Sequence, residues 1–232
     1  MKWILVVNGI DHAFLREYGC SCKRCLEKRK SINTSVSLIG LTENDETLYH
    51  ILFDVGMGVV DTLVNSSYLS GTKARLDWLI LSHWHPDHLL DLNRLCETWK
   101  RTLERRDKEW NPILTWCRSG TAKWIKKNHS FEWNCFLNPR PSNEFNPPGV
   151  KLAPIPLKIN DLIVTPITVS HCTADINPEN PKKRLECSAS FVIEHKGKKA
   201  VLLWDIDNKN DWIEKPTSDD QKKTVELLSE AD

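Results

Sequence analysis

The chain has 232 residues, 40% hydrophobic and 27% charged, a balance that suits one well-buried core and excludes a disordered chain. Its 32 basic and 31 acidic residues leave a formal charge of +1, so bulk electrostatics argue against a nucleic-acid or membrane partner. The short basic runs at Lys23-Arg24, Lys28-Arg29-Lys30, Arg105-Arg106 and Lys182-Lys183-Arg184 read as solvated faces.

In chain order, the apolar run after Met1 is too short for a signal peptide or a membrane span and reads as a first strand at Trp3–Val7. No later stretch approaches spanning length, and the expectation is a soluble, cytoplasmic protein. Ser35–Ile39 and Leu48–Val55 are further strands, the second leaving through Asp54-Val55-Gly56-Met57-Gly58, whose glycines permit a sharp exit. Helical spacing follows over Val59–Leu69. Leu76–Leu81 is a nearly continuous apolar run that suits a strand buried on both faces.

Leu89–Arg106 reads as one helix, with Leu89, Leu92, Leu95, Cys96, Trp99 and Leu103 at three- and four-residue steps. Ile113–Cys117 is a strand, and Ser119 can cap a helix running to Lys127. The Pro- and Asn-rich stretch from Asn138 to Pro156 is a loop. Strands return at Leu162–Val169, Ala189–Glu194 and Ala200–Trp204, the last two joined by a hairpin turn at His195-Lys196-Gly197-Lys198. Asp219–Glu230 is a helix. Strands and helices mix in both halves, so a layered α/β or α+β domain is expected, with 1–232 a single unit.

His83-Trp84-His85-Pro86-Asp87-His88, placed directly after a buried strand, is the strongest chemical signal. Imidazoles bind zinc, manganese and iron, and a carboxylate suits the harder of these ions. The alternate positions His83 and His85 can converge on one metal, with Asp87 and His88 one step further along for a second. A chance cluster of surface histidines is the bland reading. With only eight histidines in the chain, three within six positions beside an aspartate make it the weaker one. His12, His50, His129 and His195 lack such a context and read as surface or structural residues.

Of the eight cysteines, Cys96, Cys117, Cys135, Cys172 and Cys187 are scattered singly, as small buried hydrophobes usually are. Cys20, Cys22 and Cys25 cluster within the loop 19–31 and can supply three thiolates to a structural zinc, with a fourth ligand from elsewhere.

The histidine motif, the run Leu76–Ser82 before it and Phe53-Asp54-Val55-Gly56 resemble the metallo-β-lactamase superfamily. The resemblance implies an αββα sandwich, an α+β fold, with metals at one edge of two sheets. Val169-Ser170-His171 ends a strand, as the superfamily's third ligand histidine does, and Leu202-Leu203-Trp204-Asp205 ends another, as its bridging aspartate does. It implies two divalent ions, zinc or manganese. His83, His85 and His171 would hold the first, Asp87 and His88 the second, with Asp205 between them and Asp54 supporting the loop. Asp207 competes with Asp205 for the bridging role.

With the cysteine cluster and its structural zinc, the chain resembles the phosphoribosyl cyclic phosphate phosphodiesterase branch of the carbon–phosphorus lyase pathway. That implies an enzyme, a metal-dependent hydrolase acting as a phosphodiesterase on a small cyclic phosphate or nucleotide through a metal-activated water, with Asp87 as base or proton relay. The alternatives are hydrolysis of a lactone or thioester on the same scaffold, or a non-catalytic accessory protein with a structural zinc. A homodimer is a further expectation. The chain departs from the pattern at Leu89-Leu90-Asp91-Leu92, where the family has a glycine. It also ends at Ser229-Glu230-Ala231-Asp232, where the family's last strand and ligands follow, so either a truncated chain lacking that strand or a natural short form is expected.

Overall fold

The structure is a computed structural model that describes residues 1–11, 17–26, 32–142, 146–175, 185, 187–229 and 231. His12, the basic runs Lys28-Arg29-Lys30 and Lys182-Lys183-Arg184, the end of the cysteine loop and Glu230 lie outside the described residues. The strands are β1 (Lys2–Gly9), β2 (Ser35–Leu41), β3 (Thr47–Phe53), β4 (Trp78–Ile80), β5 (Ile113–Trp116), β6 (Leu137–Pro139), β7 (Leu162–Thr168), β8 (Ala189–His195) and β9 (Lys198–Leu202). The helices are α1 (Lys23–Leu26), α2 (Val59–Val64), α3 (Pro86–Leu89), α4 (Leu92–Glu104), α5 (Ser119–Asn128), α6 (Ser130–Cys135) and α7 (Asp219–Leu228). The chain divides into two compact units, residues 1–115 with 128–139 and residues 116–127 with 140–232.

The first unit is built on a six-stranded sheet in the order β1-β2-β3-β4-β5-β6. β1, β2 and β3 run antiparallel, and β3 pairs in parallel with β4 through the crossover that contains α2. Every residue of β2 is buried, which its place between two neighbours explains. β1, at the edge, is buried far less regularly. The helix expected over Val59–Leu69 stops at Val64, and Leu69 is buried against Ile39 and Leu41 from a turn instead.

The helix expected over Leu89–Arg106 is two helices. Pro86 opens α3, where its missing N–H costs nothing, and the chain re-forms at Asp91 before α4. The break serves the neighbouring loop. Asp91 N–H donates to the Val55 carbonyl, and its carboxylate accepts from Gly58 N at 2.9 Å and Val60 N at 3.3 Å. Asp91 thus caps the N-terminus of α2, where a negative charge is favoured. Gly58 there has φ +83°, a conformation that suits glycine.

In the second unit β7, β8 and β9 form an antiparallel sheet. The expected hairpin between β8 and β9 turns on Lys196 and Gly197, at φ +48° and +78°, as a two-residue turn of that twist needs. Ile167, Val169, Val192 and Trp212 make a core cluster, against which Val225, Leu227 and Leu228 of α7 pack. The capping box of Ser218 and Gln221 starts α7.

Candidate metal centre

Asp54 directly follows β3, has no solvent exposure and takes φ +58°, in the left-handed region where Asp is among the residues best tolerated. Its backbone N–H donates to the Ile80 carbonyl of β4, tying the two strand ends together. Its carboxylate is saturated from one side. Oδ1 accepts from Ser82 N at 2.7 Å, while Oδ2 accepts from Ser82 Oγ at 2.7 Å and faces His88 Nδ1 at 2.8 Å. Below it, the loop 55–58 is pinned by Asn33, whose Oδ1 accepts from Met57 N at 2.8 Å.

Around this anchor the unit brings together His83, His85, Asp87 and His88. The His83 ring lies 4.6 Å from the His85 ring and 4.2 Å from the His88 ring, centroid to centroid. His88 Nε2 lies 3.5 Å from Asp87 Oδ2. His83 and His88 are at most 1% exposed, and His85 is half-buried. Burial raises the pKa of Asp87, but in the absence of metal a protonated His88 beside it outweighs that and holds the carboxyl below its ordinary value. Asp87 is therefore an anion at neutral pH.

This donor set fits a divalent cation. Imidazoles and a carboxylate are the ligands zinc and manganese share. His88 has Nδ1 on the buried Asp54 carboxylate, an arrangement that orients a ligating histidine and leaves Nε2 as its donor. Three imidazoles and an anionic carboxylate packed this closely form a concentrated donor cluster without an excess of positive charge.

In the second unit His171 lies three residues past the end of β7 and Asp205 three past the end of β9, with Asp205 at φ +52°. The two segments are laced together. Asn210 Oδ1 accepts from Ser170 N at 2.8 Å and Asn210 Nδ2 donates to Ser170 O at 2.7 Å. Asp207 accepts from Ser170 Oγ at 3.1 Å and from Lys209 N at 2.9 Å. Asp207, the rival of Asp205, is thus engaged in joining these segments. Asp175 holds the other side, with Oδ2 accepting from His171 N at 3.3 Å.

The sulfurs of Cys20, Cys22 and Cys25 lie within 4.8 Å of one another. The Glu17 N–H lowers the pKa of Cys25, but the adjoining Cys22 and Cys20 and partial desolvation outweigh it and the thiol is raised. Thiolates this close repel one another unless a cation sits among them, which suits the zinc expected there. Cys96, Cys117 and Cys187 are buried, with Cys187 near enough to Cys117 to add to the rise that burial gives its pKa, while Cys135 is exposed.

Of the histidines set aside, His50 is buried and His129 is half-buried, 3.8 Å from the buried Glu132. Sequence reasoning missed Ser82 and Asn210. Ser82 adjoins the motif, and its position could have drawn notice. Nothing in Asn208-Lys209-Asn210 separates the asparagine that grips Ser170 from an ordinary polar turn.

A family model described as a beta-lactamase superfamily domain matches residues 49–212. Among solved structures, zinc-bound PqqB from Methylobacterium extorquens aligns with TM-score 0.58 at 14% identity, covering 85% of this chain and 63% of that one. A diphosphatase from the PhnP family aligns with TM-score 0.56 at 14% identity, over 92% and 70%. YhfI from Bacillus subtilis, a metallo-β-lactamase fold protein, aligns with TM-score 0.52 at 14% identity, over 86% and 61%. The chain spans about three fifths of the length of PqqB and of YhfI. Comparison with curated protein sequences finds no match. Likeness at this identity shows the fold, and the expected α+β metallo-β-lactamase fold is the one found.

Proposed function

The chain belongs to the beta-lactamase superfamily, whose members are typically metal-dependent hydrolases, and from that membership we propose that it is a phosphodiesterase acting on a small cyclic phosphate or nucleotide. The observation that carries the metal-dependent part is the cluster of His83, His85, Asp87 and His88 around Asp54. The same reading assigns His171 and Asp205 as further ligands. A protein described as a diphosphatase shares this fold, which supports a phosphorylated substrate without choosing between ester and anhydride. One or two divalent ions, when bound, lower the pKa of a coordinated water toward neutrality and offset charge on phosphoryl oxygens.

The protein's own groups prepare that chemistry. Asp54 and Ser82 hold His83 and His88 from behind, so neither ring has to reorganise during reaction. Asp87, anionic and beside His88, accepts the proton that the attacking water gives up as its oxygen bonds to phosphorus. The P–O bond to the leaving group then breaks, and the departing alkoxide takes up a proton. Cys20, Cys22 and Cys25 take no part in this and hold a separate structural zinc.

The test is metal content per chain by elemental analysis, for wild type beside His83→Ala/His85→Ala, followed by a screen of cyclic and acyclic phosphodiesters. The expected result is one or two more ions in the wild type than in the variant, and hydrolysis that the variant lacks. Equal metal in both proteins would refute the hydrolase centre. A metal excess with turnover of only lactones or thioesters would overturn the phosphodiesterase assignment.

A further inference from the structure

We infer that Ser82 is a positioning residue that keeps the proton of the His83 ring on Nδ1 and so makes Nε2 its lone-pair nitrogen; the inference rests on the proposed hydrolase reading only in taking Nε2 as the metal donor. Ser82 Oγ lies 2.7 Å from Asp54 Oδ2 and 3.0 Å from His83 Nδ1. A hydroxyl has one proton to give. Two oxygens 2.7 Å apart with no proton between them repel, the more so when one belongs to a carboxylate. The Ser82 proton therefore goes to Asp54. The hydroxyl then offers Nδ1 only lone pairs, and that contact is favourable only when Nδ1 carries the hydrogen. His83 is 1% exposed, so bulk water does not compete for the position.

His88 needs no such relay. Its Nδ1 faces Asp54 Oδ2 directly at 2.8 Å, with Ser82 Oγ further away at 3.4 Å. One carboxylate thus sets both rings, His88 by contact and His83 through Ser82. Because a metal takes only the lone-pair nitrogen, a ring with its proton on the wrong atom must lose or move that proton before it can bind. The Ser82 backbone is held independently, by its N–H donating to Asp54 Oδ1 at 2.7 Å. Removing the hydroxyl therefore tests the proton and leaves this anchor in place.

The experiment is nitrogen NMR of the metal-free protein with labelled histidine, at a pH where the rings are neutral, paired with cobalt(II) titration. In wild type and in Ser82→Thr, which keeps the hydroxyl, His83 should hold its hydrogen on Nδ1. In Ser82→Ala the Nε2–H form should appear, and cobalt affinity should fall by about 10- to 100-fold, as for loss of other outer partners of metal ligands. Ser82→Thr should bind cobalt within a few-fold of wild type, which a purely volumetric role would not produce. A wild-type His83 protonated on Nε2 would overturn the inference without any variant, so misfolding of Ser82→Ala cannot shelter it. Unchanged tautomer and affinity in Ser82→Ala would overturn it equally. A wild type with the expected tautomer that takes up no cobalt beyond what the site of Cys20, Cys22 and Cys25 holds would refute the hydrolase reading and leave the role of Ser82 standing.

Discussion

The His50 ring is 1% exposed, with Nδ1 at 2.7 Å from the Arg75 carbonyl and Nε2 at 2.9 Å from Ser37 Oγ. Burial pushes its pKa from 6.5 down to about 4, against the opposing pull of the Arg75 carbonyl and of Asp77. Between those values the unfolded chain binds a proton that the folded chain refuses, so stability rises with pH across that window. The His50 contribution is complete above about pH 6.5 and is lost as the pH falls toward 4, in total about 3 kcal/mol. Urea unfolding of wild type and His50→Gln should show a stability difference that is constant above that window and shifts against wild type below it. A difference independent of pH would show that the ring protonates freely in the folded chain. None of this was legible from the sequence. A histidine between Tyr49 and Ile51 gives no sign of which partners its two nitrogens will meet, because Ser37 and Arg75 reach it only through sheet pairing and the turn before β4.

At the scale of elements, the metal loop depends on how closely two segments approach. A Cβ built on Gly56 would lie 1.8 Å from the Asp87 carbonyl oxygen and 2.6 Å from Asn33 Cβ. Both obstacles are near the backbone and cannot swing away. Gly56→Ala should therefore destabilise the protein by about 3 kcal/mol or more, in the upper range for overpacking, and should displace Asp87. Thermal unfolding together with cobalt titration checks this, and an unaltered melting temperature with wild-type affinity would refute it. The exit role of this glycine was readable from Asp54-Val55-Gly56, but the partner it must admit was not. The split between α3 and α4 has the same origin. The apolar spacing of Leu89, Leu92, Leu95 and Cys96 is continuous across the break, and the interruption comes from Asp91, whose N–H and carboxylate are drawn to Val55, Gly58 and Val60. Periodicity reports which side of a helix is apolar and is silent about a backbone bond made to another segment.

For the molecule as a whole, a ligand that binds only the folded chain stabilises it by mass action. Zinc at a hundredfold excess over its dissociation constant should add about 2.7 kcal/mol per site, seen as a higher urea midpoint. The increment due to the histidine centre should vanish in His83→Ala/His85→Ala, while the part due to Cys20, Cys22 and Cys25 should remain. An increment unchanged in that variant would place all the stabilising metal elsewhere. The sequence by itself determined the order and type of most strands, the hairpin at Lys196-Gly197, the buried strand β4 before the motif and the motif from His83 to His88, because burial periodicity, turn chemistry and ligand spacing are all local properties of the chain. It also carried the resemblance from which the fold was expected. Tertiary structure alone decided what stands behind that motif: Asp54 reaching Ser82 and His88, Asp91 capping a helix other than its own, and Asn210 gripping the Ser170 peptide. Each of these is a hydrogen bond between residues 28 to 40 positions apart. Such a bond has no local pattern to announce it, since its partners are chosen only when the sheet and its loops have already brought the two segments together.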